Sequence, residues 1–195
     1  MPTAHAAAQQ STILVFGDSI SAGYGIRVEQ GWVHLLAQKI AQTGYGFNVV
    51  NASVSGETTE GGLARLPHAL DVQHPSILIL ELGGNDGLRS LPLNGTHDNL
   101  GEMIKLARSR QIKVLLLGMR MPPNYGERYT TGFQALYADL AKEFNLGLVP
   151  FLLEKVALKP ELLQADSIHP TEAAQPLLLD TVWPKLEPML RATRP

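Results

Sequence analysis

A serine directly behind a glycine and an aspartate, Gly17-Asp18-Ser19, and an Asp166-Ser167-Ile168-His169 segment near the far end of the chain are the parts of an acyl-transfer site. A hydroxyl is a weak nucleophile until a base takes its proton, and an imidazole does so best when an acid holds its other nitrogen. Of the six histidines, His5 lies in the N-terminal leader, and His34, His68, His74 and His97 lie within or beside helix-like segments. Only His169 has an acid three residues before it on the same edge as Ser19, so Ser19, His169 and Asp166 are the candidate nucleophile, base and orienting acid. Such a site also needs donors aimed at the developing oxyanion. The side-chain amide of Asn85, the unhindered backbone N–H of Gly56 and the N–H of Ser19 are the candidates. Each fragment alone has a bland use. Gly-Asp-Ser and Gly-Asn-Asp are common turn sequences, Asp18 or Ser19 can cap a helix, and Gly56 can simply supply a positive φ.

The fragments gain weight from where the chain must place them. Thr12-Ile13-Leu14-Val15-Phe16 is short, apolar and β-branched, which reads as a buried strand stopping at Gly17. Residues 47–51, 76–82, 112–117 and 146–151 repeat the pattern, with helix-length segments between them. This alternation predicts an α/β fold, a parallel sheet with helices on both faces. Ser19, residues 55–58, 83–86 and 121–125, and the Asp166 to His169 segment then all follow the carboxyl ends of strands, the edge at which open α/β sheets bind ligands.

Helical spacing of Trp32, Leu35, Leu36 and Ile40 predicts a helix over 31–43, and that of Phe133, Leu136, Tyr137, Leu140 and Phe144 another over 130–144. Residues 94–110 and 171–191 complete the set. Gly61, Gly62 and Pro67 argue against a regular helix over 58–70, and Pro176, Pro184 and Pro188 are expected to break the last one.

The 195 residues, 45% hydrophobic and 17% charged, suffice for one core, so 12–195 reads as a single domain behind a leader of residues 1–11. A formal charge of −2 without a basic cluster leaves no footprint for nucleic acid, and no apolar run is long enough to cross a bilayer. The absence of cysteine excludes disulfides, thiolate zinc sites and a cysteine nucleophile. Ala4-His5-Ala6-Ala7-Ala8 looks like the small-residue end of a secretory signal, which implies a periplasmic or secreted protein. A plain alanine-rich leader on a cytoplasmic protein is the other reading. Glu57 and Glu81 lie near the site edge, but no second acid at suitable spacing makes a glycosidase pair.

Four blocks, Gly17-Asp18-Ser19-Ile20-Ser21, Gly56 within Ser55-Gly56-Glu57-Thr58, Gly83-Gly84-Asn85-Asp86 and Asp166-Ser167-Ile168-His169-Pro170, resemble in order those of the SGNH hydrolases, also called the GDSL family. The likeness runs from about Thr12 to about Leu190 and is strongest to the bacterial branch of thioesterases, arylesterases and lysophospholipases. It includes Leu82-Gly83-Gly84-Asn85-Asp86-Gly87-Leu88-Arg89 and Pro122-Pro123-Asn124-Tyr125-Gly126. Ile20 replaces the leucine of the family's name, a volume-conserving swap. The resemblance implies a three-layer, flavodoxin-like fold with a five-stranded parallel sheet in order 2-1-3-4-5. It implies Ser19 as nucleophile, His169 as base, Asp166 as its partner, and Ser19, Gly56 and Asn85 as oxyanion donors, with no metal or cofactor. The expected substrate is a small or lipid acyl ester, cleaved by a monomer. The loop 86–92 and segment 121–125 flank the expected acyl path, where Leu88, Leu91, Met121 and Pro122 offer apolar lining. A sugar or peptidoglycan O-deacetylase would use the same machinery with a polar pocket. A non-catalytic nucleotide module is disfavoured, because Gly23-Tyr24-Gly25 is too little for a dinucleotide site and no Gly-Lys-Ser/Thr loop is present.

Overall fold

Ile77, Leu78, Ile79 and Leu80 offer no polar side chain to either face of a sheet, and all four are completely buried at its centre. The computed structural model describes residues 11–193. The expected leader lies outside them except for Ser11, which opens the first strand. The strands are β1 (Ser11–Gly17), β2 (Phe47–Asn51), β3 (Ile77–Glu81), β4 (Lys113–Leu117) and β5 (Gly147–Val149). They form one sheet in the order β2-β1-β3-β4-β5 with every neighbouring pair parallel, as the resemblance implied. β5 is shorter than expected, since Pro150 has no N–H to give to the ladder.

The helices are α1 (Ser19–Ala22), α2 (Trp32–Thr43), α3 (Thr59–Gln73), α4 (Gly84–Leu88), α5 (Leu93–Ser109), α6 (Glu127–Glu143) and α7 (Gln175–Arg191). α2 packs on α7, while α3 packs on α5 and α5 on α6, which covers the sheet with two helical layers. The apolar stripes read from the sequence are the buried ones: Trp32, Leu36 and Ile40 from α2, and Phe133, Leu136, Tyr137 and Leu140 from α6. Each large side chain so buried contributes about 1.5–3 kcal/mol. Among the described residues no helix is long and apolar enough to cross a membrane.

Two expectations about helices fail for tertiary reasons. α3 is continuous from Thr59 to Gln73, with Thr58 capping its start by accepting from the Gly61 N–H at 3.3 Å. Gly62 serves packing there: a Cβ on it would lie 2.4 Å from Leu82 Cδ1, so the glycine lets the helix approach the sheet. α7 likewise continues through Pro184 and Pro188 to Arg191. Pro176 stands in its first turn, where a missing N–H costs nothing. The Asp180 carbonyl, left without its helical donor by Pro184, accepts from Lys155 Nζ at 3.3 Å. Burial of Leu178, Leu179, Val182, Leu186 and Leu190 offsets the cost of the two interior prolines.

Candidate active site

β1 ends at Gly17, and Asp18 caps the short α1 by accepting from the Ile20 N–H at 3.0 Å. Ser19 is therefore the first residue of α1, with its N–H among the terminal donors that no helical turn can use. The other half of the site arrives from the far end of the chain. Leu163 bridges Pro170, Gln164 N donates to His169 O at 2.8 Å, and Ser167 takes a left-handed φ of 59°. This closes residues 166–169 into a tight turn. Within it Asp166 Oδ1 accepts from the N–H groups of Ile168 and His169 at 2.9 and 3.0 Å, and Oδ2 lies 2.6 Å from His169 Nδ1. The His169 N–H in particular holds the Asp166 carboxyl down at about 2. His169 Nε2 is 2.8 Å from Ser19 Oγ. A carboxylate at Nδ1 keeps the ring proton there, which leaves Nε2 free to accept from the serine. The exposed Tyr24 ring leans on His169, with centroids 4.5 Å apart.

The three expected oxyanion donors converge on the same edge. Gly56 has φ +80° with nothing within 4 Å of where a Cβ would stand, so the position demands glycine for its backbone rather than for space. Its carbonyl accepts from Arg89 Nη2 at 3.2 Å, and its N–H donates to no other described residue. Asn85, in α4, uses both amide hydrogens: Nδ2 donates to Asp18 Oδ2 at 3.1 Å and to Glu57 O at 3.0 Å. The two loops are locked together by Asp86, a buried carboxyl that accepts from Thr59 N at 2.9 Å and from Thr59 Oγ1 at 2.5 Å.

Asp18 and Glu81 are two buried carboxyls directly behind Ser19. Burial raises Asp18 from 3.8 to about 6, against the lowering hydrogen bond from Ile20 N and the charge of His169. Burial, then the neighbouring Asp18, pushes Glu81 well above its usual 4.5. Between pH 4 and 6 the native protein thus binds protons that the unfolded chain has released, so stability falls as pH rises through that window. Asp166 acts oppositely: its contribution is present above 3.8 and lost as pH falls through about 2. Denaturant unfolding from pH 4 to 7 is expected to show the fall in wild type and a smaller one in Asp18→Asn. Equal stability at both ends of the range in wild type would refute the buried-acid account.

The residues expected along the acyl path are placed unevenly. Met121 is buried beneath Gly87, Leu88 is half-buried, and Leu91 and Pro122 are exposed. Tyr125 Oη ties the two segments by donating to Leu88 O at 3.1 Å, and Tyr129 Oη, from α6, donates to Leu91 O at 2.9 Å. Sequence reasoning missed the inward roles of Glu81 and Asp86 and the contact of Tyr24 with His169. Glu81 had a signal: it is the one charged residue in the strand Ile77–Glu81.

Against known proteins, the pattern of the GDSL-like lipase/acylhydrolase family matches residues 15–176. Esterase TesA of Pseudomonas aeruginosa is 51% identical over 188 residues, which cover 96% of this chain and 92% of that protein. Thioesterase 1/protease 1/lysophospholipase L1 of Escherichia coli K12 is 42% identical over 184 residues, 94% of this chain and 87% of that one. A crystal structure of TesA superposes with a TM-score of 0.90 at 50% identity, covering 92% of this chain and 99% of its own. The order of blocks, the sheet and these likenesses agree, and the chain belongs to the GDSL-like lipase/acylhydrolase family of ester hydrolases.

Proposed function

We propose that this protein cleaves carboxylic esters through an acyl-enzyme on Ser19, with His169 as base and Asp166 as the acid that orients it. The observation that carries this reading is the continuous chain Ser19 Oγ, His169 Nε2, His169 Nδ1, Asp166 Oδ2, with links of 2.8 and 2.6 Å. Ser19 Oγ bonds to the ester carbonyl carbon while its proton passes to His169 Nε2. The carbonyl oxygen, now an anion, takes the N–H groups of Ser19 and Gly56, and the Asn85 amide joins them by exchanging its bond to the Glu57 carbonyl. Collapse breaks the ester C–O bond, or the C–S bond of a thioester, and the leaving alcohol or thiol departs with the proton from His169. Water then gives a proton to His169 as its oxygen bonds to the acyl carbon, the bond from that carbon to Ser19 Oγ breaks, and His169 returns the proton to Oγ as the acid leaves.

Leu88, Leu91, Met121 and Pro122 make the acyl side of this site apolar, Met121 acting from beneath the loop. The names of the relatives extend the proposed substrates to acyl thioesters and lysophospholipids. Every proposed catalytic group comes from one chain, which suits action as a monomer, and the leader sequence suits export to the periplasm. The test is a p-nitrophenyl ester series from acetate to palmitate, with mass spectrometry of the protein after a phosphonate ester is added. A rate that peaks beyond butyrate and one phosphonyl group on Ser19 are expected. A rate confined to acetate would replace this reading with the deacetylase, and phosphonylation elsewhere would overturn Ser19 as nucleophile.

A further inference from the structure

Glu81 ends a strand whose other four members are aliphatic and buried, and it is itself completely buried. The parallel register sets it beside Gly17, the residue that opens the Ser19 turn. Its Oε2 accepts from the Asp18 N–H at 3.3 Å and from Ser21 Oγ at 2.7 Å, one residue before Ser19 and two after it. The approach is close enough that a Cβ on Gly17 would stand 2.5 Å from that same oxygen. Glu81 Oε1, by contrast, is buried with no hydrogen-bond partner among the described residues.

A carboxyl in this position is a poor choice for stability. A leucine or methionine would bury similar volume without a buried carboxyl or the orphaned Oε1, but it would leave the buried Asp18 N–H and Ser21 hydroxyl without an acceptor. The carboxyl is explained by what its satisfied oxygen holds. We infer that Glu81 is a positioning residue for the nucleophile: by gripping Asp18 and Ser21 together it ties the Gly17 to Ser21 turn to β3 and sets the direction in which Ser19 Oγ faces His169. The inference rests on the reading of Ser19 as nucleophile.

The groups that face Glu81 fit a neutral carboxyl. Asp18 lies on the turn side, and Tyr137 approaches from α6, with its hydroxyl donating to the Leu82 carbonyl next along the chain from Glu81. Neither supplies a cation, and Asp18 repels a second negative charge, in keeping with the upward push on Glu81. A glutamine, which keeps one carbonyl oxygen and carries no charge, should therefore do most of what Glu81 does.

Glu81→Leu, Glu81→Gln and Ser21→Ala, each with its melting temperature, kcat and KM on p-nitrophenyl butyrate, test this. Glu81→Leu is expected to melt somewhat below the wild-type temperature, with two buried donors left unpaired, while kcat per folded molecule falls about 50-fold and KM stays within about threefold. Glu81→Gln is expected to recover kcat to within about fivefold of wild type, and Ser21→Ala to lose about fivefold in kcat alone. A Glu81→Leu protein with wild-type kcat per folded molecule, or a glutamine variant no better than leucine, would overturn the inference. If Glu81→Leu does not fold, unchanged kcat in Ser21→Ala overturns it instead. Failure of the site reading looks different: wild-type hydrolysis would then survive Ser19→Ala, whatever happens at position 81.

Discussion

Replacement of Ser19 by alanine is expected to lower kcat for ester hydrolysis by about 10⁵-fold, the largest effect of any single change in this protein. Without Oγ no acyl-enzyme forms, and His169 is left facing a methyl group. The oxyanion donors remain, so a residual rate above the uncatalysed reaction persists. The fold is expected to be untouched, because alanine suits the first position of α1 and the cap belongs to Asp18 rather than to Ser19. Steady-state rates with an unchanged circular dichroism spectrum check this. Retention of more than about 1% of wild-type kcat would place the chemistry elsewhere.

At Asp166 the more conservative substitution is expected to be the more damaging. Asp166→Asn can still accept from the backbone N–H groups of Ile168 and His169, so the turn persists with an amide nitrogen 2.6 Å from His169 Nδ1. That nitrogen is a donor, which forces the ring proton onto Nε2 and points it at Ser19 Oγ, the wrong tautomer for a base. The expected loss in kcat is about 10⁴-fold. Asp166→Ala imposes no tautomer, and with the native side chain 38% exposed, water reaches the vacated place. Its loss is expected to be about tenfold smaller. The comparison is made by measuring both variants on one ester across the pH range. Since the Asp166 carboxyl is held at about 2, wild-type activity lost on acidification above pH 3 does not come from protonation of this group. An alanine variant slower than the asparagine variant would count against the tautomer argument.

Much of the candidate site's placement is legible in the sequence. Strand endings alone put Ser19, Gly56, Asn85, Asp166 and His169 on one edge, because in a parallel sheet every loop that follows a strand emerges on the same side. The helices of 31–43 and 130–144 were legible for a similar reason: their apolar spacing matches a face that the sheet buries. The errors lie where tertiary packing overrides local preference. Pro184 and Pro188 are helix breakers by local rules, yet the buried stripe of α7 outweighs them, and Gly62 weakens α3 locally while letting it touch Leu82. The inward side of the site was hidden for a different reason. Whether Glu81 faces water or the underside of Ser19 depends on the register of β1 against β3, and the sequence carries no local trace of that pairing.

Ser19 and His169 stand 150 residues apart, yet meet through a single 2.8 Å contact. Turnover is therefore an end-to-end gauge of the chain. It reads zero until the segment before α7 has docked against the end of the first strand, however much of the sheet has already assembled. In refolding, Trp32 gauges a neighbouring closure, since its backbone N–H donates to Gln175 Oε1 at 3.0 Å and its helix packs on α7. Recovery of ester hydrolysis marks the closing of the longest loop.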